Sequence, residues 1–588
     1  MKKLWLLGNT TVRSPFRLRD ALIALSMSPL QGNLRGCEQE IAFRNLLGSQ
    51  GIVKLGNDET YSVGRKWRAA LSQLGFLYPK ISKKIGILQI EIGSIDMITP
   101  SGWRLIRAET VPSMQECFLR ALAAYYIPSP LEPNYGFSVF SPLRHILLIM
   151  LELEKSTGES TLNFEEMAFV VQSTSNDESL AEIVFKILEI RKSRENSPNQ
   201  RKFNQLQIAE AQTNTKYVST TFSDYADTNL RYLKSTGLVQ SKGRGVSLVP
   251  EKRVFIEKLI QNIVAPDTVR AYLLNLCNGA DLPTDNKELA LIVLEDLLKQ
   301  INKRGIAYGI EHKPLDTPAD ISIICHEIEQ LISEQNEEQY AALQFERWEE
   351  IKEYMNLLIS GKTSKFLSNG EEIEVPKCEA PAYFEWILWR AFLAINRLVN
   401  KPYQSRRFKI DQDFLPVGTA PGNGPDLIFE FHEFVLVVEV TLTDNSRQEA
   451  AEGEPVRRHV ANIKNQYANQ LGKPVYGLFI ANRIDSNTAE TFRIGIWYSR
   501  DDQKMQLDIV PMTLEHFKNF FETLFVSKNV DVNLIRELID VCSQLRTAHE
   551  GPAWKQEIEQ VINKKITQLK SSGVTSDYIS NNLLKTIS

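Results

Sequence analysis

The stretch from Asn423 to Thr441, NGPDLIFEFHEFVLVVEVT, constrains the fold more than any other part of the chain. Two apolar runs flank His432-Glu433, and a carboxylate stands near each outer end, at Asp426 and Glu439. Strand-like runs on either side of a short turn predict an antiparallel hairpin. With the turn at His432-Glu433, Phe431 faces Phe434 and Asp426 faces Glu439. One side of the hairpin is then Leu427, Phe429, Phe431, Phe434, Leu436 and Val438, all apolar and suited to a core. The acid side also carries Ile428, Val435 and Val437, so it too is largely covered. Helix-like YFEWILWRAFLAINRL precedes the hairpin. Helix-like EPVRRHVANIKNQYANQ, strand PVYGLFIAN (474–482), strand QLDIVPM and helix TLEHFKNFFETLF follow it, then two more helices. Strands alternating with helices predict an α/β domain.

Directly opposed residues of such a pair have Cβ atoms about 4.5–5.5 Å apart. Two like charges at that spacing, beside apolar surface, destabilise a fold unless a shared proton or a cation compensates. Mg2+ takes one or two protein carboxylates plus water and phosphate oxygens, and this pair is spaced to hold one. The plain alternative is two solvated strand ends, which is the usual fate of acids on an arbitrary hairpin. The neighbours weigh against it. Glu452 sits at the mouth of a helix opened by Pro455, and His459 lies about one turn in, beside the buried stripe of Val456, Val460 and Ile463. Upstream, a helix over 383–398 buries Phe384, Leu388, Ala391, Ile395 and Leu398, with Glu385 on the edge of that stripe. Singly, His459 reads as a core histidine and Glu385 as a rim charge. Together, three more polar groups can converge on Asp426 and Glu439.

A chain of 588 residues is too long for one core, so two to four domains are expected. The net charge of −4 hides an asymmetry. Residues 1–110 carry 16 Lys+Arg against 8 Asp+Glu, whereas residues 285–375 carry 9 against 19. A basic N-terminal region suits a polyanion such as DNA, although a solvated basic surface has the same composition. In that half, helices at 37–47 and 63–75 are followed by strand-like runs over 84–98 and a helix opening at Thr99-Pro100. This is the order of a winged helix. A second copy lies at 220–249, where a helix ends on Gly237 and two short strands flank a Gly-Arg-Gly turn that presents Lys242 and Arg244 to DNA. The expected division is a DNA-recognition region, 1–285, with winged-helix-like subdomains of about 1–135 and 136–285. A helical linker, 286–375, and a C-terminal domain, 376–588, follow. Six scattered cysteines show no metal or disulfide spacing, and no apolar run reaches the roughly 18 residues of a membrane span. A cytoplasmic protein is the expectation.

The motifs FEW (384–386), APGNGPDLIFE (420–430), VVEVT (437–441) and EGEPVRRH (452–459) resemble the AlwI family of type IIS restriction endonucleases, which includes strand-specific nicking relatives. Weaker likeness extends into the N-terminal half at RSP (13–15), SPLRHIL (141–147) and YLKSTGL (232–238). The resemblance implies winged-helix DNA recognition, a helical linker and a C-terminal nuclease of the PD-(D/E)xK fold. It implies Mg2+, with Mn2+ as a substitute, held by Asp426, Glu439 and the carbonyl of Val440, and a site completed by Glu385, Glu452 and His459. The broad nuclease pattern ends in Glu-x-Lys, and this chain reads Glu439-Val440-Thr441, as its AlwI relatives also lack the lysine. The identity of the base stays open between His459 and a second metal bound partly by Glu452 or Glu385. The expected activity is hydrolysis of double-stranded DNA at a fixed distance outside an asymmetric site, one strand per catalytic domain. Cutting both strands would need a transient homodimer or a second small nuclease subunit. Two other classes stay open: a DNA-binding regulatory protein with an inactive nuclease-like domain, and a transposase-associated, RNA- or flap-directed nuclease of the same fold.

Overall fold

The hairpin forms in the register its sequence dictates. In the computed structural model, which describes residues 3–55, 62–213, 217–395, 397–470, 472–499 and 501–585, Leu427 pairs with Val438, Phe429 with Leu436 and Glu430 with Val435. The Phe431 N–H donates to the Phe434 carbonyl at 2.8 Å. Asp426 stands one residue before the strand Leu427–Glu430, at the register position facing Glu439. The strand Val435–Thr441 is antiparallel to this edge strand and parallel to Val475–Ala481, which is in turn parallel to Asp508–Thr513. These four strands form one mixed sheet in the order 508–513, 475–481, 435–441, 427–430. Parallel neighbours need crossovers. Helix Glu454–Gln470 provides the first and helix Ser486–Ile494 lies on the second.

The apolar hairpin face is buried throughout, and Phe429 stacks on Phe392 of helix Ala380–Ile395 at 4.5 Å between ring centroids. The sequence predicts a stripe on this helix; the fold instead surrounds it, burying every residue from Ala382 to Ile395. It ends before Leu398, which is only partly buried. Glu385 is therefore no rim charge: it is 5% exposed. Arg390 is enclosed as well. It donates to Gln344 and Glu350, each at 2.7 Å, and stacks on Trp386.

The chain divides into two compact units, Met1–Ile332 and Ser333–Ser588. The acidic helices expected over 286–375 form as Lys287–Lys303, Pro318–Ala342 and Trp348–Ser360, and the boundary falls inside the second. A small hairpin, Ser364–Phe366 with Glu372–Glu374, follows them. The N-terminal unit is mainly helical. Thr99 caps helix Pro100–Arg107 by accepting the Gly102 N–H at 3.0 Å, as its Thr-Pro start predicts.

The strands expected over 84–98 do not form. Two 3-10 turns, Lys83–Ile85 and Gln89–Glu91, take their place, and no strand precedes Leu162 among the described residues. The reason is local. Gln89 accepts from the Ile81 N–H and donates to the carbonyls of Pro79 and Gly93, all within 3.0 Å. One side chain thus satisfies backbone groups that a strand partner would otherwise bind.

The second pattern does form strands. Helix Ser219–Lys234 leads into Val239–Lys242 and Gly245–Leu248, and Leu162–Asn163 joins them as a third strand. Gly237, at φ +69°, stands after the helix rather than at its first residue past the cap. No helix among the described residues is long and apolar enough to cross a membrane, and all six cysteines are free thiols.

Gly477, on the second strand, decides how closely helix Glu454–Gln470 approaches the sheet. A Cβ there would stand 2.9 Å from Ile509 and 3.0 Å from Val460. Gly477→Ala should therefore lower stability by about 1–3 kcal/mol, as overpacking does. Denaturant unfolding followed at constant slope measures it, and an unchanged midpoint would contradict the close approach.

Candidate active site

Asp426 and Glu439 meet at the end of the hairpin because the register continues one step past the ladder. The Asp426 Oδ2 accepts the Val440 N–H at 2.9 Å, which ties the first acid to the strand that carries the second. Glu439 is 6% exposed and His459 4%. His459 reaches Glu439 from helix Glu454–Gln470, with Nδ1 2.7 Å from Oε1. A five-residue π-helical turn, Glu449–Gly453, precedes that helix. It sets Glu452 against Thr441, whose hydrogen bond it receives. Such wide turns recur where a helix must present a particular side chain. Helix Ala380–Ile395 brings Glu385, whose Oε2 accepts the Ala420 N–H at 2.7 Å.

All five acidic and histidine positions singled out from the sequence thus converge, and their electrostatics interlock. Burial, then the charges of Asp426 and Glu439, push Glu385 up to about 9. Burial, then the charge of Glu452, push Glu439 up to about 8. Asp426 is also raised, by burial and by Glu439, against the Val440 N–H that favours its charged form. Glu452 is raised by burial, opposed by Thr441 and His459. Burial lowers His459, helped by the nearby positive charges of Arg458 and Arg407.

Once a bound cation or a pH above about 8 ionises Glu439, a neutral His459 donates to it from Nδ1 and keeps its lone pair on Nε2. The Nε2 of His459 is buried and has no hydrogen-bond partner.

This donor set fits a hard divalent cation. Its oxygens are carboxylates, crowded so that burial and their own charges oppose ionisation, which a cation would reverse. Among the described residues no group of three or more His, Cys, Asp or Glu side chains is placed to hold a metal ion. Mg2+ would therefore take most of its shell from water and phosphate.

The wing positions differ from each other. Lys242 is exposed. Arg244, by contrast, lies 3.3 Å from Glu165 and 5.2 Å from the Phe164 ring centroid, so its charge is already engaged. One further residue reaches the cluster without having been singled out. Arg407, in SRRF (405–408), bears electrostatically on Glu385, Glu439 and His459. Its only sequence signal was an unexplained arginine pair.

Carboxyls raised in the folded state are protonated in both states below the free value of 4.5, and their contribution to stability is then complete. It is lost as pH rises toward about 8 and 9, where the folded groups must ionise against one another. The EDTA-treated protein should melt at progressively lower temperature across that window. Glu385→Gln should flatten the fall by at least about 2–4 °C, the shift that 1 kcal/mol makes in a domain of this size. A melting temperature equally steep in parent and variant would remove the like-charge account.

The family model for the AlwI restriction endonuclease matches residues 72–520. Among solved structures, the small subunit (R.BspD6I2) of the heterodimeric restriction endonuclease R.BspD6I is 24% identical. That match covers 36% of this chain and 98% of the other, with a TM-score of 0.28. The BpuJ1 endonuclease binding domain, in complex with pyrene- and phenanthrene-modified DNA, is 13% identical. It covers 44% of this chain and 90% of its own, with a TM-score of 0.29. Among curated proteins nothing matches. With the family model spanning most of the chain, and the motifs of the sequence gathered at one sheet end, the protein belongs to the AlwI restriction endonuclease family and is a site-specific DNA endonuclease.

Proposed function

We propose that the protein hydrolyses double-stranded DNA as a type IIS enzyme, with a PD-(D/E)xK nuclease in its C-terminal part, cutting at a fixed distance outside an asymmetric site. The observation that carries this is the Asp426–Glu439 pair, opposed on the hairpin and joined by Glu385, Glu452 and His459. When bound, Mg2+, or Mn2+ in its place, would polarise the phosphate and lower the pKa of a coordinated water. Asp426, Glu439 and the Val440 carbonyl would hold it. His459 accepts a proton from the attacking water at Nε2, while the Glu439 carboxylate holds its Nδ1–H and fixes the tautomer. The water oxygen bonds to phosphorus in line, the P–O3′ bond breaks, and the 3′ oxygen takes a proton from solvent. Thr441 keeps Glu452 turned toward the site.

The N-terminal unit would do the reading. Helix Pro142–Thr157, strand Leu162–Asn163, helix Phe164–Phe169, helix Ser219–Lys234 and the hairpin 239–248 follow the order of a winged helix, with two helices inserted. Lys242 at the hairpin tip is the better placed phosphate contact, since Arg244 is paired. One chain has one catalytic cluster and the two DNA strands run oppositely. A single chain would therefore nick, and cutting both strands would take a transient homodimer or a second nuclease subunit.

A cleavage map on random-sequence DNA with Mg2+ tests this reading. Cuts at a constant offset from one short asymmetric sequence are expected, and scattered cuts would reject it. Asp426→Asn and Glu439→Gln should abolish cutting yet leave site binding intact. His459→Ala should slow cutting by about 10²–10⁴-fold, the usual share of a general base. Site binding should weaken with salt by about 0.9 log unit per phosphate contact; loss of binding in the carboxylate variants would mean that reading and cutting are not separate.

A further inference from the structure

Two adjacent arginines on the free edge of the hairpin have opposite fates. Arg406 bridges to Leu427, and the Arg407 N–H donates to the Asp426 carbonyl at 3.3 Å. Successive residues of an extended segment point to opposite sides. Arg406 turns to Glu337, which it grips with two bonds of 2.7 Å. Arg407 turns to the turn that carries Asp426. Its Nη2 donates to the Asn423 Oδ1 at 2.5 Å and its Nη1 to the Pro425 carbonyl at 3.3 Å. Gly424 leaves it room, because a Cβ there would stand 2.2 Å from Nη1.

Both acceptors are neutral. Among the described residues Arg407 makes no ion pair, although its charge favours ionisation of Glu385 and Glu439. A guanidinium has five N–H donors in a planar fork, and three of these remain after the two bonds above. A half-buried cation held only by neutral groups, beside a carboxylate pair that excludes free anions, is matched by an anion delivered with its own chain. The chemistry that fits is a phosphodiester, which a fork-shaped donor binds at two oxygens.

We propose that Arg407 binds the DNA phosphate presented to Asp426 and Glu439, supplying the positive charge that Thr441 cannot. This rests on the nuclease reading above. Gly424 is then a functional requirement of the turn, since it seats the guanidinium.

The test uses the full chain, Mg2+ and plasmid DNA, then duplexes spanning the mapped cut. Arg407→Met should lower kcat about 100-fold, the loss typical of one charge-stabilising donor, and Arg407→Lys should recover part of it. Gly424→Ala keeps the arginine but displaces it, and should show the same defect in milder form. Binding in EDTA provides a second readout. Arg407→Met should reduce the salt slope by about 0.9, one phosphate contact. On a duplex with a methylphosphonate at the cut position, parent and variant should have equal slopes. A purely structural role would lower the melting temperature and would leave the slope difference on the methylphosphonate duplex. An Arg407→Met protein that cuts at the parental rate, or that keeps its slope difference on the neutral linkage, overturns the proposal. A parent that leaves all DNA uncut overturns the nuclease reading itself.

Discussion

The crowding of carboxylates at one end of a sheet is the constraint on which the C-terminal unit is built. Burial penalises ionisation of Asp426, Glu439, Glu385 and Glu452, and the charges of Asp426, Glu439 and Glu452 add to the penalty on their neighbours. Charges left in that state would weaken any marginally stable domain. The fold tolerates them because each is hydrogen-bonded: Asp426 to the Val440 N–H, Glu439 to His459, Glu385 to the Ala420 N–H and Glu452 to Thr441. Those partners lie on one strand (Val440 and Thr441), one helix (His459) and one loop (Ala420), so holding the acids together also ties three elements together.

The rest of the unit can be understood as support for that cluster. A mixed sheet puts Glu439 at the end of a strand buried between two neighbours, where its backbone cannot shift to relieve repulsion. The helix Ala380–Ile395 is enclosed on all sides, which fixes Glu385 more firmly than an amphipathic surface helix would. Gly477 lets the His459 helix sit close to the sheet. Preorganisation of this kind is what makes electrostatic groups effective, since no reorganisation is needed when charge develops.

The site was legible from sequence where the rule was local. The hairpin register follows from a period of two and one turn, so the meeting of Asp426 with Glu439 could be read without coordinates. His459 followed from a helix start and a buried stripe. What stayed hidden depended on tertiary context. Glu385 read as a rim charge because periodicity reports one covered face, and nothing in the helix says that a second layer encloses it. The strands expected over 84–98 failed because Gln89 bonds three backbone groups of its own loop, and a side-chain substitute for a strand partner leaves no period to detect. Arg407 was invisible for a third reason: its role depends on pointing away from Arg406, which only the edge pairing with Leu427 decides.

Thr441 gives these observations a common sense. Thr441 stands two residues after Glu439 on the same strand, where its hydroxyl hydrogen-bonds Glu452 and adds no charge to the acid face. The acid face thus gains no positive charge from that residue, and two groups from outside the strand act on it. Burial lowers His459, so it adds little charge to the cluster. Arg407 stands on the edge segment, held by Asn423 and the Pro425 carbonyl, where its charge acts on the cluster without an ion-pair partner among the described residues. On the proposed mechanism, proton acceptance and positive charge are divided between a helix and an edge segment, each of which can be altered without touching the strand that carries Glu439.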